Sequence, residues 1–582
     1  MLDWSSAVKR WRIAPPVPPH IRHQLGAFSP IMAQILYNRG QDTPDKVRAF
    51  LQGGDETLHN PFQMIGMNKA IARIRHAIKQ GELIAVYGDF DADGVTSTAL
   101  MTQALDALDG RVIPYIPNRV DEGYGVNNAA LQYLHDAGVK LVITVDCGIR
   151  SIEEVQYGNE LGLDMIVTDH HSVGDQLPPA LAVIDPKIDA KQRIEEGKAN
   201  GYPEDMLAGV GVAYKLADAL FRATQVQGRS QPKIELENLL DLVALGTVAD
   251  LAPLDRLENR ELVRRGLKVL NKAQRPGIYH LIDVAGLEPG KISSTSIGFM
   301  LAPRINAAGR LSDAMIAYHL LVEGIPAVEQ LAQDLQALNV QRQDLTKEAV
   351  ELAKADLDDG DIPPLIFSAS EQFKSGIVGL VAGRLCEEYY RPAMVLEHGP
   401  EESRGSCRSV PEFDITAALD RCADLLVRHG GHAQAAGFTV RNENIPLLHE
   451  RLLAFAAEAL HGQELRPMLE IDAEIALSDV TEDLAQSLES LEPTGSRNDT
   501  PLFLTRRLQV VDARRVGQEG KHLRLRLSNG ASEIECIAFK QGDWAEHLPP
   551  RVDVVYHLEF REWNGRRQPK LVVEDLQPSG DL

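Results

Sequence analysis

Asp89, Asp91 and Asp93 in VYGDFDADG, Asp146 in LVITVDCG, and Asp169 with His170 and His171 in MIVTDHH are side chains suited to holding divalent cations. Oxygen donors joined by one or two imidazoles fit Mn2+ or Mg2+ better than structural zinc. Two such ions about 3.5 to 4 Å apart, bridged by one carboxylate, would make a hydroxide nucleophile and stabilise an in-line displacement at phosphorus. A single aspartate at a strand end is an ordinary turn or helix N-cap residue, but the whole set is not. The Asp-x-Asp-x-Asp opening also resembles an EF-hand calcium loop. That reading fails because the twelfth position from Asp89 is Leu100 instead of glutamate, and a strand-like run precedes the loop.

Each cluster follows an apolar, β-branched run. From Leu83 to about Pro186, LIAVYGDF, RVIPYIP, KLVITVDCG, DMIVTDHH and ALAVIDP alternate with helical stretches from about Val95, Asn127 and Ser151. Such alternation predicts an α/β fold, a parallel sheet covered by helices, with the clusters at its carboxyl edge. Asp89, Asp91 and Asp93 are expected to share one face of an extended strand end. Two further helices are expected, about Gly211 to Ala223 and Leu236 to Ala249, and the second carries Asp250 in VALGTVADLAPL to the same crevice.

Val328, Leu331, Leu335, Leu338, Leu345, Ala349 and Leu352, interrupted by Arg342, predict one long amphipathic helix. It either packs on its own domain or, as preferred here, connects two lobes. A second α/β unit starts at PLIFSAS, and from about Met468 period-two strands such as LEIDAEI, HLRLRLS and VDVVYHLEF predict a small antiparallel barrel. The expected organisation is a segment 1–60 packed on the catalytic domain, a catalytic domain 61–325, a connector 326–360, a second α/β domain 361–465 and a barrel 466–582.

With 582 residues, 44% of them hydrophobic and 25% charged, the chain has the composition of a soluble protein of several domains. No apolar run approaches the ~18 residues of a membrane span, and APPVPPH stands where a secretory signal needs an apolar segment, so a cytoplasmic location is expected. The net charge of −23 argues against a uniformly basic surface. A polyanion could still be held by metals and local basic patches. The five cysteines lack any Cys-x-x-Cys pair and read as small buried residues.

In order, GDFDADGVTS, NRVDEGYGVN, TVDCG, TDHH and VALGTVADLAPL resemble the motifs of DHH-superfamily phosphoesterases, in particular the bacterial branch of single-strand-specific exonucleases. RINAAGRL, SRGSCRS and GGHAQAAGF resemble that branch's linker and DHHA1 domain. The resemblance implies that Asp91, Asp93, Asp146, His170 and Asp250 ligate two divalent ions, with Asp146 bridging. Many relatives have histidine four positions before Asp91, where this chain has Tyr87, so Asp89 is a further candidate ligand. His171 either holds a carboxylate behind the ligands or assists the leaving group.

The same resemblance implies 5′-to-3′ removal of nucleotides from single-stranded DNA threaded between two lobes, in recombination and repair. Arg304, Asn306 and Arg310 in RINAAGR, Ser406 and Arg408 in GSCRS, and His432 in GGHAQAAG are then the expected contacts to substrate phosphates. Arg506, Arg507, Arg514, Arg515, Lys521, Arg524 and Arg526, followed by Arg561, Trp563, Arg566, Arg567 and Lys570, fit an oligonucleotide-binding barrel. The alternatives are a phosphodiesterase for oligoribonucleotides or cyclic dinucleotides, which would need no barrel, and an inactive scaffold, which would have lost its ligands. A monomer is expected, with a single-strand-binding protein and a helicase as partners.

Overall fold

The computed structural model describes residues 9–119, 122–123, 125–196, 201–225, 232–355, 357, 362–563 and 566–580, with 193–196, 561–563, 566 and 567 described by backbone alone. Val120, Asp121 and Tyr124 of NRVDEGYGVN lie outside the described residues, as do the side chains of Arg561, Trp563, Arg566 and Arg567. The chain separates into two compact units. One is His59–Ala252 with Leu262–Leu465, and the other is Met1–Leu58 with Pro253–Glu261 and Arg466–Leu582.

The first unit contains five parallel strands, β1 (Leu83–Gly88), β2 (Arg111–Tyr115), β3 (Val139–Val145), β4 (Asp164–Thr168) and β5 (Ala182–Ile184), in the order β2-β1-β3-β4-β5. β1 and β3 are buried almost residue by residue, which is why they read as continuous apolar runs instead of alternating ones. Helix α1 (Ala92–Asp106) is buried nearly all round. Its threonine hydroxyls must therefore bond within the helix, and those of Thr96, Thr98 and Thr102 donate to the carbonyls of Ala92, Gly94 and Thr98 at 2.7–2.8 Å. Helices α2 (Gly209–Gln225) and α3 (Leu240–Ala249) pack against α1, with a 3-10 turn at Leu236–Leu239 leading into α3.

Helix α4 (Ala302–Leu311) precedes the long α5 (Ala327–Ala355). Val328, Ala332 and Leu335 are buried near the start of α5, where it packs on α4, whereas Ala349, Val350 and Ala353 enter the core of the second α/β domain. One helix thus serves both domains. The second domain holds β6 (Ile366–Ser370), α6 (Ser375–Tyr389), β7 (Ala393–Glu397), β8 (Glu402–Arg408), β9 (Leu426–His432) and β10 (Ala435–Arg441). Its sheet runs β9-β10-β8-β7-β6, with only β6 and β7 parallel.

In the other unit, Phe503–Val516, His522–Ser528, Glu533–Ala538, Arg566–Pro578 and Arg551–Trp563 pair in that order, and the last returns to the first to close a barrel. Glu533–Ala538 runs parallel to Arg566–Pro578, so the expected antiparallel barrel closes through one parallel pair. The expectation that residues 1–60 pack on the catalytic domain is corrected. Leu25, Met32, Ile35, Val47 and Phe50 share one core with Phe503, Leu508, Leu525 and Tyr556 of the barrel. Periodicity shows that a helix buries a face, but not what the face meets.

Arg260 is fully buried in this unit, donating to the carbonyls of Phe50 (2.7 Å), Leu491 (2.8 Å) and Pro493 (2.9 Å) and lying 3.9 Å over the Phe50 ring. All five cysteines are free and buried. Among the described residues no helix is long and apolar enough to cross a membrane.

Candidate metal centre

β1, β3 and β4 are neighbours whose carboxyl ends deliver Asp89, Asp146 and the Asp169-His170-His171 triplet to one edge. The expectation that Asp89, Asp91 and Asp93 alternate along an extended strand is corrected. The strand stops at Gly88, Asp91 caps α1 by accepting the amides of Asp93 (2.9 Å) and Gly94 (3.1 Å), and Asp93 sits in the first helical turn. Capping prevails because the first amides of a helix have no partner within it.

The ligand-type atoms fall into groups within 4.8 Å of one another: Asp93 with His170 and Asp250, Asp89 with Asp91 and Asp146, and Asp146 with both histidines. Asp146 adopts φ 61°, a left-handed conformation that turns its carboxylate into this cluster. Its Oδ1 lies 3.0 Å from His170 Nε2, yet both atoms are buried and neither makes a hydrogen bond. Asp89 Oδ1 is likewise buried and unbonded. Unpaired buried acceptors this close to one another are costly without a cation between them.

Electrostatics supports the fit. Burial, reinforced by the neighbouring Asp91 charge, raises Asp89 well above the usual carboxylate range and Asp93 to about 7. Burial and the surrounding aspartates also raise Asp146 and Asp250. Burial lowers His170 to about 3, helped by His171, leaving a neutral imidazole able to ligate. Burial would lower His171 too, but its hydrogen bond with Asp169 outweighs that and lifts it to about 9. Asp169 is correspondingly held at about 2 despite its burial.

Asp169 belongs with the positioning groups. It accepts the amides of Ile149 (2.9 Å), His170 (2.7 Å) and His171 (3.1 Å) and lies 2.7 Å from His171 Nδ1. The amides of Gly209 (2.7 Å) and Val210 (2.9 Å) hold the two oxygens of Asp93. Neither had been singled out in the sequence, nor had Gly246, where a Cβ would stand 2.8 Å from Asp93 Oδ1 and 2.3 Å from Thr96 Oγ1. Tyr87, four positions before Asp91, is buried and donates its hydroxyl to the Gly125 carbonyl at 3.0 Å.

Beside the carboxylates lies a group of cations. Arg119, in the segment that follows β2 and 4.8 Å from the Phe90 ring, is lowered by burial and also feels the charges of Asp89, Asp91 and Arg408. Burial lowers Arg310 to about 10, with Arg119, Arg342 and Arg408 adding to the effect. Among the described residues none of Arg119, Arg310 and Arg408 has a carboxylate within salt-bridge distance. Arg310 donates to the Gly376 carbonyl (3.0 Å), and Arg408 to Ser406 Oγ (3.0 Å) and the Cys407 carbonyl (2.8 Å).

Three guanidiniums supply the forked donors that suit phosphate oxygens. The sequence alone does not single out Arg119 within NRVDEGYGVN, since nothing there separates it from a surface arginine.

The other expected substrate contacts are placed variously. Arg304 bonds Gln336 (2.8 Å), Asn306 Oδ1 accepts the Ala92 amide at the start of α1 (2.8 Å), and His432 is exposed at the end of β9. In the barrel, Arg506 meets Glu474 and Asp553, Arg514 meets Asp512, Arg515 meets Asp543 and Glu546, Lys521 meets Glu519, Arg524 meets Glu535 and Arg526 meets Glu533. Each of those cations lies beside a carboxylate of its own domain, in pairs exposed enough to be weak.

Three family models match in succession: the DHH family N-terminal domain at residues 83–247, the DHHA1 domain at 363–460 and the RecJ OB domain at 471–575. Sheet, ligand cluster and domain order thus define a DHH-type protein with a DHHA1 domain and an oligonucleotide-binding barrel. The single-stranded-DNA-specific exonuclease RecJ of Bacillus subtilis is 37% identical over 98% of this chain and 71% of its own length. That of Escherichia coli is 33% identical over 94% and 96%. The Mn2+ complex of RecJ from Thermus thermophilus superposes with a TM-score of 0.83 at 31% identity, over 98% of this chain and 80% of that one. The chain belongs to the RecJ family.

Proposed function

We propose that this protein is a metal-dependent exonuclease that hydrolyses single-stranded DNA from its 5′ end to nucleotides, in recombination and repair. The observation that carries this reading is the unbonded pair Asp146 Oδ1 and His170 Nε2, 3.0 Å apart at the centre of a carboxylate cluster that adjoins the Arg119 guanidinium. The names of its relatives, and the Thermus thermophilus RecJ structures with Mn2+ and with Mg2+, support the substrate and the kind of metal.

The proposed ligands of two ions are Asp93, His170 and Asp250 for one, and Asp89 and Asp91 for the other, with Asp146 shared. Divalent cations bound there supply the acidity that turns water into a nucleophile and offset charge at phosphorus. The chain's own residues do the rest. Backbone amides of Gly209 and Val210 fix Asp93, and Asp169 fixes the protonated ring of His171, which faces Asp250 and Asp89 and can steady them or serve the leaving oxygen. No residue need bond covalently to DNA.

Arg119, Arg310, Ser406 and Arg408 are assigned to the terminal 5′ phosphate, Arg304 and His432 to phosphates further along, and Asn306 to positioning α1. Selectivity for single strands is ascribed to the passage between the two α/β domains, which Arg310 and Gly376 hold together. The barrel extends the grip on the strand. A single-strand-binding protein and a helicase are the proposed partners of a monomer. The experiment is digestion of 5′- and 3′-labelled single strands and duplexes with Mn2+, Mg2+ or chelator. Release of the 5′ label first, from single strands only and only with metal, is the expected result. Release from the 3′ end overturns the polarity, and activity in chelator overturns the metal assignment.

A further inference from the structure

A single wide helical turn, Ile297–Leu301, runs directly into α4. π-Helical turns of this kind are uncommon and concentrate at functional sites. The side chain it turns outward is Phe299, 78% exposed, whereas Ile297 and Leu301 in the same turn are fully buried. The turn packs on the end of α3: a Cβ at Gly298 would lie 3.9 Å from Val248 Cγ1, and the Val248 carbonyl accepts the amide of Leu251 at 3.2 Å. Leu251 directly follows the candidate ligand Asp250, is 71% exposed and holds φ 58°, a conformation a bulky residue rarely adopts.

Cations accompany these apolar groups. Arg304 donates to the Met300 carbonyl (2.5 Å), and the neighbouring Arg342 of α5 has a buried Nε without a partner. An exposed ring on a turn whose own Met300 carbonyl holds a guanidinium is the combination that grips single strands, with bases stacking on the ring and phosphates meeting the cations.

We propose that Phe299 is a platform on which one base of the threaded strand stacks; this rests on the single-strand reading above. Its place along the strand follows from the helix. From residue 299 to Arg310, at about 1.5 Å per residue, is about 16 Å. That distance equals about five stacked nucleotides at ~3.4 Å each, and fewer in an extended strand. The base on Phe299 is therefore the third to fifth from the anchored phosphate. A base inside a duplex has no free face to offer, so the platform also favours single strands.

The test is binding of a 5′-phosphorylated single strand by the full-length protein in chelator, so that nothing is cut. Phe299→Ala weakens binding roughly tenfold and Phe299→Trp restores it, with unchanged thermal melting because the ring is exposed. A strand with an abasic site at one of positions three to five binds wild type about as weakly, and Phe299→Ala loses nothing more on that strand. Wild-type binding to the intact strand that Phe299→Ala leaves untouched, or losses from the variant and the abasic site that simply multiply, overturn the platform alone. Wild type that binds no single strand overturns the proposed function and the platform together.

Discussion

The carboxylate of Asp93 accepts the backbone amide of Gly209 at 2.7 Å, joining the start of α1 to the start of α2 across 116 residues. The contact requires glycine, because a Cβ at 209 would stand 2.6 Å from both Cβ and Oδ1 of Asp146. Gly209→Ala should therefore displace two candidate ligands at once without touching substrate. Groups that orient metal ligands typically carry about 10- to 100-fold in metal affinity. Calorimetric titration with Mn2+ should show a loss of that order in a folded variant, and wild-type affinity would remove Gly209 from the centre.

Removing a ligand should stabilise the metal-free protein while abolishing cleavage. Burial and like charges raise Asp146, so its ionised form works against folding near neutral pH when no cation is present. Asp146→Asn should melt above wild type in chelator, and Mn2+ should raise the melting temperature of wild type more than that of the variant. A variant that retains full nuclease activity would contradict the assignment of Asp146.

The guanidinium cluster predicts discrimination at the strand end. Arg119→Ala and Arg408→Ala should each reduce kcat/KM on 5′-phosphorylated strands by roughly 10-fold or more, as expected for a charge-assisted phosphate contact. Strands with a 5′ hydroxyl should be affected much less. Equal losses on both substrates would mean that the cluster does not read the terminal phosphate.

The Asp169–His171 pair gives a pH dependence. His171 is raised to about 9, so the stability it contributes is complete below about pH 6.5 and is lost as pH rises through about 9. Asp169 is lowered to about 2, so its contribution is complete above about pH 4 and lost only as pH falls through about 2. In thermal melts of metal-free protein, His171→Ala should fall below wild type between pH 5 and 8, roughly, and the gap should close above about pH 9. A gap independent of pH up to about 10 would show that the pair is not ionic.

The shared core of the N-terminal helices and the barrel changes how truncation must be done. Ending the chain near residue 465 uncovers Met32, Ile35 and Phe50 and leaves Arg260 without its Leu491 and Pro493 acceptors. A buried guanidinium stripped of partners costs about 3 kcal/mol or more. Such a truncation should aggregate, as seen by light scattering, whereas Arg260→Ala in the full chain should lower the melting temperature of this unit and leave Mn2+ affinity intact.

The catalytic sheet was legible because a parallel sheet buried on both faces writes unbroken apolar runs, and the ligands because acidic residues at several strand ends have no common packing reason. What the sequence withheld depends on partners distant along the chain. Gly209 and Gly246 matter only for the side chains they would strike, and Arg119 only for lying beside Arg310 and Arg408. The alternation of Asp89, Asp91 and Asp93 misled because capping a helix competes with extending a strand. Asn306, expected on substrate, has its carbonyl oxygen taken by the Ala92 amide, a role no motif spacing distinguishes.

Because Leu25 to Phe50 complete their core only with Phe503, Leu525 and Tyr556, these helices cannot finish folding on the ribosome until the barrel strands have followed. At about 5–20 residues per second that wait is on the order of half a minute or more, with apolar helix faces exposed to the cell throughout. The intervening catalytic unit can mature during that interval, so it completes its core before the helices that precede it complete theirs.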